Sequence, residues 1–312
     1  RFGDMATFYQ YHDTRWVREG AEEKWQLPVP ELDGGPIKHG KLLVQCEQGV
    51  GDYVMWAVLF PEVSSRARDI VVKAMPRLAN LFRRSFPDMQ FLYENKLPPD
   101  VPVEAIAART TAGDLMELLN PDLENLPGKA GFLVADPAVK LKLRKRYEAL
   151  FPGKRLIGIS WRSGNRDSAA MRSLELPYWK PLFDMEDCAF ISLQYGDVTR
   201  DLEELRAQLG DKVYWDQEVN PMGDMDPFTA QISAMDLVIS VDNSTIHFAG
   251  GLGKPCWAML PLASDWRWQV DRSDTMWYSS LELFRPKKEG GWDGLIDRVA
   301  ERLAKVDDEA LK

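Results

Sequence analysis

Short apolar runs alternate with helix-forming segments along most of this chain, and no other feature limits its fold as much. "KLLVQC" (41–46), "DIVVKAM" (69–75) and "MQFLYE" (89–94) read as buried strands. Between and after them, "YVMWAVLFPEVSSRA" (53–67), "PRLANLFRRSF" (76–86) and "AGDLMELLN" (112–120) read as helices, the second with Pro in its first turn. A loop-like break follows at 120–136, then an amphipathic basic helix, "PAVKLKLRKRYEALF" (137–151). A second series then opens. Its strands are "RLIGISW" (155–161), "CAFISLQ" (188–194), "VYWD" (213–216), "DLVISV" (236–241) and "PCWAML" (255–260). Its helices are "YWKPLFDM" (178–185), "TRDLEELRAQL" (199–209), "PFTAQISAM" (227–235) and "STIHFAGGLG" (244–253). Repeated strand–helix order calls for parallel sheets covered on both faces. Two such series predict an α/β chain of two Rossmann-like domains, with ligands in a cleft at the carboxyl ends of the strands.

The division expected is an N-terminal helix and linker over 1–35, a first α/β domain over 36–153, a second over 154–290 and a terminal helix over 291–312. In the first part, Phe8, Tyr11 and Trp16 share one helical face, and "WQLPVPELDGGPIKHG" (25–40) is loop. In the last, Leu295, Val299 and Leu303 line one side of the helix. The length of 312 residues accommodates two domains of this kind. There is no internal repeat and no low-complexity segment.

The net charge of −9, with no basic stripe, argues against nucleic acid as a partner. No run approaches the roughly 20 apolar residues of a membrane span. Cys46, Cys188 and Cys256 lie far apart in apolar surroundings and read as buried free thiols, which fits a cytoplasmic location. With no Cys-x-x-Cys pair and only His12, His39 and His247, a zinc site is not expected.

Four stretches carry chemistry. The first is "EQGVGD", in which Gln48, Gly49 and Gly51 form a turn ahead of Asp52. It is not a dinucleotide fingerprint, because the third glycine would fall on Val54, and it lacks the Lys-Ser/Thr of a P-loop. Asp52 reads either as a helix N-cap or as a general base at a strand end, and one carboxylate can serve as both. The second is "DLVISVDNSTIHFAGGLGKP", where Asp242, Asn243, Ser244 and Thr245 offer redundant caps and His247 lies in the first helical turn. Such a helix start suits an anion, although an ordinary well-capped turn has the same residues. Gly250 and Gly251 permit close packing, and Gly253 reads as the helix stop. The third stretch holds Arg162, Arg166 and Arg172, which suit a phosphate partner, with Arg166 better read as solvated. The fourth, "DWRWQVDRSDTMWY", carries Trp266, Trp268, Trp277 and Tyr278, of which at least half are expected in the core and the others could stack on a sugar or base.

Taken together and in this order, these stretches resemble the C-terminal glycosyltransferase-like domain of bacterial tetratricopeptide-repeat proteins. That domain is related to the ADP-heptose:lipopolysaccharide heptosyltransferases of glycosyltransferase family 9. The family's EQGxGD turn is matched by Glu47 to Asp52, and its DLVISVDT…HLAGALGKPVW run by Asp236 to Trp257 with Asn243 in place of Thr. Its PDWRW and SPWYPSMRLFR segments are matched by "SDWRW" and "DTMWYSSLELFR". The opening "YQYHDTRW" is similar to the link between the last repeat helix and the domain, which implies a repeat region ahead of Arg1.

The resemblance implies a GT-B fold and transfer of a sugar from a nucleotide-sugar co-substrate to a protein or glycan acceptor, by analogy a surface or flagellar protein. It implies no metal or other cofactor, and Asp52 as catalytic base. The donor phosphates would meet Arg162, Arg172, Gln194, Asp242, Asn243, Ser244, Thr245 and His247, with Gln48, Gly49 and Gly51 at the acceptor or in the turn. The heptosyltransferases have a Lys after the first strand of the second domain, where this chain offers Arg162 and Arg172, and their D-T-G-x-x-H becomes Asp242 to His247, so the heptose donor does not carry over. The runner-up is a non-catalytic scaffold of the same fold, expected to lack nucleotide affinity or to have its cleft blocked by the Met222–Asp226 loop. A sugar-nucleotide epimerase and a nicotinamide dehydrogenase lack their acids and their third glycine, respectively.

Overall fold

The computed structural model describes residues 12–17, 23–122, 125–126, 128–164, 169–270, 272–287 and 292–306. Two sheets form, and every strand pairing within them is parallel. The first comprises β1 (Ile37–Gln45), β2 (Ala67–Lys73), β3 (Gln90–Leu92) and β4 (Ile106–Thr111), in the order β3-β2-β1-β4. The second comprises β5 (Arg155–Ser160), β6 (Cys188–Ser192), β7 (Val213–Tyr214), β8 (Leu237–Val241), β9 (Cys256–Met259) and β10 (Leu281–Phe284), in the order β10-β9-β8-β5-β6-β7. β5, β6 and β8 are buried along almost their whole length, as strands covered on both faces must be.

The order reverses between β1 and β4 in the first sheet and between β5 and β8 in the second. At such points the loops leaving adjacent strands diverge and open a crevice. The two crevices face each other. The helix Val50–Trp56, after β1, packs against the helix Ser244–Gly251, after β8. The contact is close because Gly51 lacks a side chain: a Cβ there would lie 3.0 Å from His247 Cδ2 and 3.4 Å from Ser244 Cα. One apolar core runs through this junction, with Trp56, Phe60, Phe228, Phe248, Trp268, Trp277 and Tyr278 all fully buried. Trp266 is half-buried, so three of the four aromatic residues in the fourth stretch belong to the core.

Several elements differ from expectation. The helix expected over 53–67 is divided into Val50–Trp56, a tight turn Ala57–Leu59 and Phe60–Arg66. Pro61 accounts for this, since its ring displaces the carbonyl four residues earlier and it has no N–H to donate. β4 and β10 were not anticipated. The helix expected over 112–120 is only Leu115–Leu119 and ends at Asn120 in left-handed conformation, φ 42°. Gly253, φ 66°, terminates the helix after β8 as expected. Phe8, Tyr11 and Arg166 lie outside the described residues.

Candidate active site

β1 ends at Gln45 and the chain turns through Gln48, whose φ of 74° is rare for a residue with a side chain. Gly49, not Asp52, is the helix N-cap. Asp52 occupies the third helical position, and its Oδ2 accepts the Gly49 N–H at 3.0 Å. The capping expectation is corrected in position only: the carboxylate reaches back to close the turn from inside the helix. Its other oxygen, Oδ1, faces the second sheet and accepts from Arg267 Nη1 at 2.9 Å.

Beneath this turn lies Glu47, 1% exposed. It accepts the N–H groups of Ala112 at 3.2 Å and Gly113 at 3.0 Å, which joins the exits of β1 and β4. Arg15 Nε approaches it at 3.3 Å, and Arg15 also donates to Thr111 Oγ1 at 2.9 Å and to Asp114. Burial pushes the Glu47 carboxyl up to about 7, outweighing Arg15 and the backbone donors.

At the opposite crevice, Asn243 caps the helix Ser244–Gly251, its Oδ1 accepting Thr245 N–H at 2.9 Å. Its Nδ2 donates to Ser160 Oγ at 2.7 Å and to the Arg162 carbonyl at 3.0 Å. Gln194 completes the clamp. Its Oε1 accepts from Ser160 Oγ at 3.0 Å and from the N–H groups of Trp161 and Arg162, each at 2.9 Å. Its side chain is therefore committed to shaping the β5 exit. The Arg162 guanidinium turns outward, to Asp201 at 2.8 Å and the Asp197 carbonyl.

Arg172 lies 3.3 Å from both Asp242 and Asp265. Arg267 Nε donates to Asp265 Oδ1 at 3.1 Å, and Nη1 lies 3.4 Å from His247 Nε2. His247 is stacked on Trp268, and its Nδ1 meets the Tyr278 hydroxyl at 2.9 Å. Burial, then the Arg267 charge, pushes His247 well below its ordinary range, so the imidazole is neutral. Arginine only donates, so the assigned tautomer leaves Nε2 as acceptor and puts the proton on Nδ1, toward Tyr278. Burial raises the Asp242 carboxyl against the pull of Arg172 and Arg267. Burial also opposes ionisation of Asp265, but the Arg267 charge and hydrogen bond, with Arg172, hold it below the usual carboxylate range.

These groups surround a cavity of about 580 Å³ between the sheets. Gln48, Gly49, Gly51 and Asp52 line one wall, and Arg172, Asp242, Asn243, Ser244 and His247 the other. Thr245 is completely buried behind that wall, while Arg162 and Gln194 do not line the cavity. Of the segment expected as a blocking loop, Met225 and Asp226 already belong to the helix Met225–Ala234; Met222, half exposed, and Met225 line the cavity. Sequence reasoning missed Arg267, Asp265, Arg77 and Tyr195, which line it too. The available signal was Asp265 and Arg267 alternating with tryptophans, read there for its rings alone. Among the described residues, no group of three or more His, Cys, Asp or Glu could hold a metal ion, and no helix is long and apolar enough to cross a membrane.

No family model matches the chain. It is 29% identical over 295 residues to the protein FlbA of Caulobacter vibrioides, covering 90% of this chain and 49% of that protein's length. ADP-heptose lipopolysaccharide heptosyltransferase II of E. coli superposes with a TM-score of 0.59 at 16% identity, covering 85% of this chain and 97% of that one. The glycosyl transferase family 9 structure from Veillonella parvula superposes with a TM-score of 0.60 at 12% identity, covering 90% and 99%. The chain thus shares its fold with glycosyltransferase family 9 structures: it has the GT-B fold, two parallel α/β sheets facing across a cleft.

Proposed function

We propose that this chain transfers a glycosyl group from a nucleotide sugar to a hydroxyl of a protein or glycan acceptor, with Asp52 as general base. One observation carries the reading. The Asp52 carboxylate, at a strand end of one sheet, shares a cavity with Arg172, Arg267 and the start of the helix Ser244–Gly251 at strand ends of the other. The acceptor oxygen attacks the anomeric carbon and gives its proton to Asp52. The bond from that carbon to the diphosphate oxygen breaks, and the electron pair leaves with the nucleoside diphosphate. Arg172, Arg267 and the helix N–H groups offset the developing charge. The leaving-group role thus falls to cations and not to a metal. A repeat region ahead of Arg1, expected from the opening segment, would select the acceptor, and the buried thiols suit the cytoplasm.

A second reading, a non-catalytic binding or scaffold module, draws on the same ion pairs: Arg172 and Arg267 are already engaged by Asp242, Asp265 and Asp52. The test is thermal stability against UDP, GDP, ADP, CMP and their sugars. A ligand at about 100 times its Kd adds roughly 2.7 kcal/mol, a clear rise in melting temperature. The active nucleotide sugar then goes into a turnover assay, where Asp52→Ala is expected to lose roughly 10²–10⁴-fold in rate with its fold intact. Wild-type-like turnover removes Asp52 as base, and no shift from any nucleotide favours the scaffold.

A further inference from the structure

Arg267 is anchored at its base and divided at its tip. It sits in the tight turn Trp266–Trp268, capped by Asp265, and its carbonyl accepts the Trp277 indole N–H at 3.0 Å. The guanidinium lies 5.7 Å from the Trp266 ring centroid. Asp265, its local partner, belongs to the same turn. Asp52, its other partner, reaches it from the opposite wall of the cleft at 2.9 Å.

We propose that Arg267 exchanges partners when the donor binds, leaving Asp52 for the donor diphosphate and so releasing Asp52 to act on the acceptor. The inference rests on the glycosyl-transfer reading above. A diphosphate presents more charge and more acceptor oxygens to a guanidinium fork than one carboxylate oxygen does. Asp265 keeps the arginine in place during the exchange, because its contact is to Nε and lies within the turn. Asp52 keeps its orientation too, since its Oδ2 remains on the Gly49 N–H. The exchange frees the Asp52 Oδ1, the oxygen that faces the cleft and is otherwise held by Arg267, to accept from an acceptor hydroxyl. The base is therefore restrained before the donor arrives and released once it is bound, which sets the order donor first, acceptor second.

The exchange makes an unusual demand: removing the base must tighten donor binding. The test measures affinities of UDP, GDP and ADP by calorimetry for the 312-residue chain, Asp52→Asn, Arg267→Gln and the double variant. The asparagine side chain retains an oxygen for the Gly49 N–H, and Asp52→Ala, which removes the charge without that oxygen, repeats the comparison on a second side chain. Asp52→Asn is expected to bind the preferred diphosphate roughly twofold to fivefold more tightly than wild type, the range of a partly exposed ion pair. Arg267→Gln should bind more weakly, and adding Asp52→Asn to it should change nothing further. If the same tightening persists without Arg267, the effect is simple removal of a negative charge and the exchange is wrong. Equal affinities of Asp52→Asn and wild type also overturn it, and leave the glycosyl-transfer reading standing. Failure of wild type to bind any diphosphate overturns both.

Discussion

The Arg84 guanidinium donates one 2.6 Å hydrogen bond to each oxygen of the Asp226 carboxylate, across the boundary between the two sheets. Arg84 belongs to the helix Ala79–Ser85 beside the first sheet, and Asp226 to the first turn of Met225–Ala234 beside the second. Asn80 reinforces the junction by donating to Asp224 at 2.7 Å, and Arg77 by donating to the Pro221 carbonyl at 2.6 Å. Arg77 and Pro221 also line the cavity, so this contact joins the two sides of its wall.

Arg84→Ala is expected to destabilise the chain by about 1–3 kcal/mol. The residue Asp226 is 9% exposed, and the variant leaves its carboxylate without its strongest partners. Arg84→Lys restores the charge but not the two-pronged geometry, and should fall between. Urea unfolding midpoints of the three proteins check this. Equal midpoints for wild type and Arg84→Ala would mean that the fork adds nothing to the junction.

Gly250→Ala tests the packing that holds His247. A Cβ at position 250 would lie 2.3 Å from Tyr278 Cγ, a ring that is fully buried. The tyrosine has no room to withdraw without leaving His247 Nδ1. Overpacking of this kind costs about 1–3 kcal/mol. The expected result is a clear fall in melting temperature, together with weaker binding of whichever nucleotide stabilises wild type. An unchanged melting temperature would show that the Tyr278 ring is not fixed where the packing puts it.

What the sequence made legible was local. β5, β8 and the second half of β1 announce themselves because full burial demands unbroken apolar runs, and Asp52 and Asp242 to His247 follow directly from strand ends. β4 was hidden because "IAARTT" is not such a run: Arg109 leaves the sheet for Glu31 and the Trp25 carbonyl. Arg162 and Gln194 were reasonable candidates by position. Their outcome depended on Asp201, Ser160 and the backbone around Trp161, which no spacing rule brings together. Arg267 was the hardest to see. Its decisive partner, Asp52, is 215 residues away, and its neighbours in sequence are tryptophans that pack. The cysteines followed composition, all three being buried free thiols.

Glu47 makes stability depend on pH in a direction opposite to that of most carboxylates. Burial raises it from an ordinary 4.5 to about 7 in the folded chain. Between those values the folded state holds more protons than the unfolded one, so the stability linked to Glu47 is full below about 4.5 and is lost as pH rises through about 7. His12 works the other way: burial, then Arg15, lowers it to about 4, so stability is lost as pH falls from its ordinary 6.5 toward that value. A comparison of wild type with Glu47→Gln cancels His12 to the extent that its surroundings are kept, and isolates the carboxylate. The glutamine amide oxygen can still accept the Gly113 N–H; the Ala112 contact is lost, but that loss is the same at every pH, while Arg15 retains Asp114 and Thr111. The stability difference, variant minus wild type, should therefore shift in favour of the variant between about pH 5 and 8, by an amount on the order of 2 kcal/mol. Urea midpoints at several pH values read it directly. A difference that stays flat would mean that Arg15 and the two backbone donors outweigh burial and keep Glu47 ionised throughout.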